Sequence, residues 1–355
     1  KQRVIWAGFG VLFSGATDAL SELAELTASP VFCTMPGKSA FDERHPLSLG
    51  AGSGTTTGPA HHWLTNSDVI LALGSSLTRS PYAQKINPGK TIIHNTNNPE
   101  DLNKDEAVDV GLVGDTRLTV EALIACIKEK TDNRGSGDRH QIEAEVAAVR
   151  ATWMAEWSPI LNSDEEPISY YRVIQALNET LDAENSIVTH DAGAPRDSIV
   201  PFYTATTPHS YVGWGKTTHL GFGIPLMIGA KMAEPDKFCL NLMGDGAFGM
   251  SGTDIETAAR SGAAITTVLL NNSAMATYSG PTQGTIGAEA REQYGVSTMQ
   301  GDYGKIAEGM GAVGLHVNKT SELAPALKEA QRLNASGRTV LIDIRANVED
   351  RRSRF

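Results

Sequence analysis

The stretch 241–278 constrains the fold of this chain of 355 residues more than any other segment. Its first apolar run breaks at Gly244-Asp245-Gly246, a helical pattern follows, and a second apolar run, 265–270, ends at Asn271-Asn272. Strand, glycine turn, helix and strand in this order predict a parallel βαβ unit, in which both loops leave the sheet at the carboxyl ends of the strands. We therefore expect Asp245 and Asn272 to lie side by side at the rim of a sheet.

These residue types fit a magnesium ion and a diphosphate. The carboxylate of Asp245 and the amide oxygen of Asn272 suit Mg²⁺, which keeps near-octahedral geometry and usually shares its coordination shell with phosphate oxygens. Gly244 and Gly246 allow backbone N–H groups to approach a phosphate closely at the N-terminus of a helix. A GDG sequence alone is a common turn. With this strand, this spacing and the asparagine pair behind it, it predicts a magnesium–diphosphate site.

The composition argues against several classes of protein. The 30 basic and 41 acidic residues give a net charge of −11, which disfavours nucleic acid or an anionic membrane as the main partner. No apolar run approaches the roughly 20 residues that a membrane-spanning helix requires. The cysteines, Cys33, Cys126 and Cys239, lie in apolar contexts without metal-ligand spacing. They predict buried free thiols in a cytoplasmic protein.

Three segments follow one another along the chain. Residues 1–130 alternate apolar strands with helices, which predicts a parallel sheet with helices on both faces. Residues 131–165 predict a linker with an amphipathic helix, and residues 166–355 predict a second unit of the same kind around the βαβ unit. The predicted fold class is α/β, with two doubly wound parallel-sheet domains. The chain opens on Lys1 directly before a strand pattern, so we expect a preceding segment in the intact protein.

The Gly244-Asp245-Gly246 turn, followed by Asn271-Asn272 after an apolar strand, resembles the signature of the thiamine diphosphate enzymes. The resemblance extends over nearly the whole chain and is greatest to the acetohydroxyacid (acetolactate) synthase large subunits. It implies that residues 1–130 are a Rossmann-like middle domain and that residues 166–355 bind the diphosphate. The family's pyrimidine-binding domain, whose glutamate starts catalysis, has no counterpart in this sequence. We expect that domain in a preceding segment or on another chain, within a homo- or hetero-oligomer.

The resemblance also implies roles for individual residues. Asp245 and Asn272 are the side-chain ligands of Mg²⁺, and the Ala274 carbonyl is the third protein ligand. The Thr218 carbonyl accepts from the 4′-amino group of the cofactor and Leu220 holds the cofactor bent, so these two are the catalytic candidates. The other candidates bind the diphosphate or line the pocket: Asp191, Gly193, Ala194, Gly244, Gly246, Ala247 and Met275. For Leu220 and Met275, a plain core position stays open as the alternative.

The sequence leaves the ligand of the middle domain open. Family members hold FAD or ADP there, and the glycine-bearing stretches 50–54 and 73–76 are suitable dinucleotide loops. Two departures weaken the case for FAD. Arg79 is displaced from the place where FAD-binding members carry an arginine, and Asn95-Thr96-Asn97 stands where they show acidic residues. An empty, vestigial domain is therefore an equal alternative.

The function implied by the resemblance is that of a thiamine diphosphate- and Mg²⁺-dependent lyase or transferase, which decarboxylates and joins small 2-oxo acids. A 2-hydroxyacyl-CoA lyase or oxalyl-CoA decarboxylase-like enzyme with an acyl-CoA substrate is one alternative, hinted at only by Arg351, Arg352 and Arg354. A non-catalytic cofactor-binding subunit is another, because the glutamate-bearing domain is not in this sequence. A nicotinamide oxidoreductase is least favoured, since Phe13 interrupts the glycine fingerprint that starts at Gly8.

Overall fold

A computed structural model describes residues 2–214, 219–275, 293–295 and 298–355. The predicted fold class is confirmed, because two sheets of six strands are flanked by helices. The chain forms two compact units. The first unit consists of residues 1–158, 204–216 and 353–355, and the second of residues 159–203 and 217–352. No helix in the described ranges is long and apolar enough to cross a membrane.

The first sheet is formed by the N-terminal part of the chain. Its strands are β1 (Arg3–Ala7), β2 (Val31–Thr34), β3 (Ser48–Gly52), β4 (Val69–Leu73), β5 (Thr91–Thr96) and β6 (Val110–Val113). They pair in parallel in the order β3-β2-β1-β4-β5-β6. The helices of this part are α1 (Phe9–Phe13), α2 (Thr17–Thr27), α3 (Gly58–Asn66), α4 (Thr116–Thr131) and α5 (Arg139–Leu161), with a 3₁₀ turn at Pro99–Asp101.

Both faces of the central strands are buried, which explains their continuous apolar sequences. In β1, Val4, Ile5 and Ala7 are at most 1% exposed. Trp6 and Phe32 pack edge to face beside them, with ring centroids 4.9 Å apart. Helix α3 shows how a local signal sets a boundary: the Thr57 hydroxyl accepts from the Ala60 N–H at 3.1 Å and caps the helix.

Two expectations for the first unit need correction. The stretch 50–54 is not simply a loop, because residues 48–52 form β3. A Cβ on Gly50 would lie 2.8 Å from Thr57 Cγ2, and one on Gly52 would lie 2.5 Å from Thr56 Oγ1. These glycines thus let the chain return against the strand. The expected burial holds for Cys33 and Cys239, but Cys126 is exposed on α4.

The second sheet has the strand order β11-β12-β10-β9-β7-β8. These strands are β7 (Ser186–His190), β8 (Tyr211–Val212), β9 (Phe238–Gly244), β10 (Thr266–Asn271), β11 (Val313–Val317) and β12 (Val340–Arg345). Its helices are α6 (Tyr170–Thr180), α7 (Ala194–Phe202), α8 (Gly223–Ala233), α9 (Asp245–Ser251), α10 (Asp254–Ser261), α11 (Tyr303–Gly309) and α12 (Leu323–Ala335), with a 3₁₀ turn at Thr320–Glu322.

The βαβ unit predicted from the sequence is formed by β9, α9, α10 and β10, and β9 and β10 are parallel neighbours. Its helical part is divided into two short helices at Gly252 and Thr253. A Cβ on Gly252 would lie 2.5 Å from the Phe248 ring. The glycine therefore allows that ring to pack against the backbone, and the chain turns there before the apolar face of α10 begins.

Candidate functional site

The carboxyl ends of β9 and β10 form the centre of the candidate site. Gly244 lies opposite Leu270 in the register of these strands, so the turn after Gly244 and the asparagine pair after Leu270 leave the sheet next to each other. The backbone N–H groups of Ser273 and Ala274 lie close enough to the Asp245 carboxyl to act on its pKa. The two halves of the sequence motif therefore meet at one point of the sheet edge.

Asp245 is the first residue of α9 and is only 2% exposed. Its Oδ1 accepts from the Gly246 N–H at 2.8 Å, whereas the buried Oδ2 has no hydrogen-bond partner among the described residues. Burial raises the pKa of this carboxyl, and the neighbouring backbone N–H groups oppose the shift. A buried carboxylate oxygen without a partner is costly unless a cation binds it.

Asn272 lies in a tight turn after β10. Its Nδ2 donates to Tyr170 Oη at 2.7 Å, and its Oδ1 accepts from the Ala274 N–H at 2.9 Å. Within the described ranges, no group donates a hydrogen bond to the Ala274 carbonyl. The turn therefore presents oxygen atoms that retain acceptor capacity. Tyr170 was not among the predicted site residues, because a contact 102 positions away leaves no periodic trace in the sequence.

Glycine allows the loops of the site to approach one another. A Cβ on Gly246 would lie only 2.1 Å from Met275 Sδ, and one on Gly244 would lie 3.8 Å from Pro195 Cγ. Pro195 lies in the first turn of α7 and directly follows Gly193 and Ala194. Gly193 has φ +85°. Of the remaining candidates, Ala247 is buried in the first turn of α9. The structure thus brings the loops that carry these candidates together at the ends of β7, β9 and β10.

Asp191, a predicted cofactor-binding residue, forms hydrogen bonds with backbone N–H groups of this chain. It is fully buried, and its Oδ1 accepts from the N–H groups of Ala192 at 2.8 Å and Gly221 at 3.0 Å, while Oδ2 accepts from the Gly223 N–H at 2.9 Å. Both oxygens are therefore engaged by the backbone. Burial raises the pKa of this carboxyl, against the effect of these hydrogen bonds. Asp191 therefore holds the segment that carries Leu220. The sequence around Asp191 indicates a turn but does not predict this contact.

Leu220 is partly exposed in the loop before α8. The next residue, Gly221, has φ +90°, and a Cβ there would lie 3.1 Å from Ser251 Cβ at the end of α9. Glycine is therefore required where this loop crosses the helix that begins with Asp245. Thr218 lies outside the described residues.

A separate cavity of about 280 Å³ lies within the first unit, at the carboxyl ends of β1, β2, β3 and β4. Among the described residues, its lining contains no charged side chain. It includes Trp6, whose buried Nε1 has no hydrogen-bond partner in the same part of the chain. Gly8 and Gly10 donate to the Leu73 and Gly74 carbonyls at 2.9 and 2.8 Å. Gly8 and Gly10 thus allow the loop after β1 to pack closely against the loop after β4, since a Cβ on Gly8 would lie 2.3 Å from the Gly74 carbonyl oxygen.

Comparison with known families agrees with this architecture. Residues 1–123 match the thiamine pyrophosphate enzyme central domain, and residues 191–344 match the thiamine pyrophosphate enzyme C-terminal TPP-binding domain. The chain therefore belongs to the thiamine diphosphate enzymes, as the sequence motif indicated.

Individual relatives show which members of this family the chain resembles. A probable acetolactate synthase large subunit of Methanococcus aeolicus is 29% identical over 93% of this chain and 56% of its own length. A putative thiamine pyrophosphate-containing protein of Bacillus subtilis is 28% identical over 97% of this chain and 56% of its own length. The acetolactate synthase isozyme 3 large subunit of Escherichia coli is 26% identical over 97% and 59%. The chain thus spans little more than half the length of these relatives.

Proposed function

We propose that this chain is the diphosphate-binding part of a thiamine diphosphate- and Mg²⁺-dependent enzyme that decarboxylates and joins 2-oxo acids, as in acetolactate synthases. The observation that carries the proposal is the buried Asp245 Oδ2, which has no partner among the described residues and lies beside the Asn272 turn. A carboxylate with amide and carbonyl oxygens is a donor set that suits Mg²⁺. The residues present therefore fit the metal.

Each loop has a distinct task in this proposal. Asp245, Asn272 and the Ala274 carbonyl would hold Mg²⁺, and the N–H groups at Gly193, Ala194 and Ala247 would bind the diphosphate at two helix starts. The Gly246 N–H, predicted to do the same, already donates to Asp245 Oδ1. When bound, thiamine diphosphate supplies the nucleophilic carbon and the electron sink for the reaction. This chain's part is to neutralise the diphosphate charge and to orient the cofactor.

Leu220→Ala tests the role proposed for the loop that Asp191 holds. If Leu220 supports the bent cofactor, the variant in the complete assembly should lose turnover about tenfold or more with nearly unchanged affinity for thiamine diphosphate, because the anchor lies elsewhere. A residue that is only core would instead cost roughly 2–5 kcal/mol of stability. Rates, calorimetric affinities and melting curves separate these results. Leu226→Ala, at a half-buried leucine of α8, is the matched control and should retain turnover.

We further propose a cytoplasmic oligomer in which a pyrimidine-binding domain, from a preceding segment or another chain, completes the site. Without the glutamate of that domain, acid–base activation of the cofactor is missing. The 355-residue chain alone, saturated with thiamine diphosphate and Mg²⁺, is therefore expected to show no consumption of pyruvate, whereas its complete assembly consumes it. Robust turnover by the isolated chain would contradict this division of labour. Failure of the complete assembly with pyruvate and with other 2-oxo acids would favour the non-catalytic subunit.

An acyl-CoA substrate receives less support from the structure. Arg351 contacts Glu165 Oε1 at 2.5 Å and Glu349 Oε1 at 2.6 Å. Arg352 donates to the Glu349 carbonyl at 2.8 Å. Arg351 and Arg352 are therefore engaged within the chain, which weakens the only hint of an acyl-CoA substrate that the sequence contains.

FAD or ADP in the first unit stays a proposal. The unpartnered Trp6 N–H in an aromatic cavity favours a planar ring with an acceptor atom. The uncharged lining offers no counter-charge to a diphosphate, and Arg79 is already paired with Glu106 Oε1 at 2.8 Å. Titration with FAD and with ADP, followed by tryptophan fluorescence, compares these ligands directly with an empty domain.

A further inference from the structure

Tyr170 makes a buried contact with the turn that follows β10. It is the first residue of α6, and its side chain is almost fully buried. Its hydroxyl oxygen accepts a hydrogen bond from Asn272 Nδ2 at 2.7 Å. This contact connects the N-terminus of α6 with the proposed magnesium loop.

The contact determines which way the Asn272 amide points. A carboxamide is planar, with its donor nitrogen and acceptor oxygen on opposite sides. Because Nδ2 is held by Tyr170, Oδ1 must face the other way, where it accepts from the Ala274 N–H at 2.9 Å. A second lone pair of Oδ1 remains available on that side. Rotation of the amide would place an NH₂ group there, which cannot bind a cation.

We propose that Tyr170 is a positioning residue, which keeps the Asn272 amide oxygen turned toward the magnesium site. The inference rests on the proposed function, since it assigns Asn272 to the metal. Tyr170 itself does not touch the metal in this scheme. Its effect passes through the hydrogen bond to Asn272, as with other outer-shell groups that orient metal ligands.

The surroundings of Tyr170 hold its side chain in place. The preceding residue, Ser169, accepts from the Tyr171 N–H at 3.2 Å and donates to Glu349 Oε2 at 2.9 Å. Glu349 is buried and paired with Arg351. The start of α6 is therefore fixed by a capped and ion-paired network.

Tyr171 provides a matched control in the neighbouring position. It is also buried, and its hydroxyl donates to the Arg351 carbonyl at 2.7 Å. Tyr171→Phe thus removes a buried hydroxyl and its hydrogen bond to the Arg351 carbonyl without touching Asn272. Tyr170→Phe makes the same chemical change but releases the Asn272 amide. Any difference between the two variants in metal binding reports the amide orientation.

The test titrates Mg²⁺ into the full chain in the presence of thiamine diphosphate, and records melting curves in EDTA. We expect Tyr170→Phe to weaken Mg²⁺ binding by about 10-fold or more, the range of outer-shell changes. Tyr171→Phe should leave Mg²⁺ affinity unchanged. Both variants should lose similar, small amounts of thermal stability without metal. This pattern separates a positioning role from a general structural one.

Two results would overturn the inference alone. The first is wild-type Mg²⁺ affinity in Tyr170→Phe, and the second is an equal loss of affinity in both variants. If the wild-type chain itself shows no Mg²⁺-dependent binding of thiamine diphosphate, the proposed function fails and the inference fails with it. The wild-type titration therefore tells these two failures apart.

Discussion

Asp245→Ala is expected to abolish Mg²⁺-dependent binding of thiamine diphosphate while the fold stays intact. Asp245 is the charged member of the proposed ligand set, and without it the diphosphate charge is held by a metal with too few protein ligands. Changes to residues that only support a metal ligand cost about 10–100-fold in affinity, so losing the ligand itself should exceed that range. Calorimetric titration of the cofactor in Mg²⁺ measures this directly.

For the thermal stability of the metal-free chain, by contrast, we expect no loss in Asp245→Ala. The buried Asp245 Oδ2 lacks a partner among the described residues, so removing the carboxylate relieves a desolvation cost. The metal-free melting temperature of Asp245→Ala should therefore not fall. Asp254→Ala is the control, because Asp254 is likewise the first residue of a short helix, α10, and should leave cofactor binding unchanged. Wild-type cofactor affinity in Asp245→Ala would contradict the assignment.

Asp191→Asn is expected to have the largest effect on stability. The variant keeps the shape of the side chain but replaces one acceptor oxygen with a donor, which then faces the N–H of Gly221 or Gly223. An unpaired buried donor costs about 1–3 kcal/mol, and here both the amide and a backbone N–H lose their partner. We expect a loss of roughly 2–4 kcal/mol on that basis, measured by urea unfolding, together with reduced turnover because the Leu220 segment is released.

Asp182→Asn is the control for this experiment. Asp182 also accepts from a backbone N–H and a side-chain amide, those of Glu184 and Asn185, but it lies on the surface. Its replacement should change the free energy of unfolding by only about 0.5 kcal/mol. If Asp191→Asn is no more destabilising than Asp182→Asn, the buried hydrogen bonds of Asp191 do not hold the loop as described.

Local chain chemistry explains what the sequence analysis predicted correctly. Strands β9 and β10 are apolar runs that end at glycine and at asparagine, respectively. Such local patterns indicate strands and turns directly, so the βαβ unit and the fold class could be predicted from the sequence. The parallel register then brings the Asp245 and Asn272 loops together without further information.

Contacts between distant side chains and loops could not be predicted in this way. Asp191 pairs with backbone groups 30 and 32 positions away, and Tyr170 with an amide 102 positions away. Such pairs depend on where the folded elements cross and carry no periodicity. The glycines of β3 show the same limit, because a glycine required by close packing looks like a loop glycine in the sequence.

We propose that Mg²⁺ on this chain anchors the diphosphate of the cofactor. The most direct measurement is calorimetric titration of thiamine diphosphate into the wild-type chain, once in Mg²⁺ and once in EDTA. We expect saturable binding in Mg²⁺ and much weaker binding in EDTA, because the side chains of Asp245 and Asn272 reach the diphosphate only through the metal. Equal binding in both buffers, or no binding in either, would contradict it.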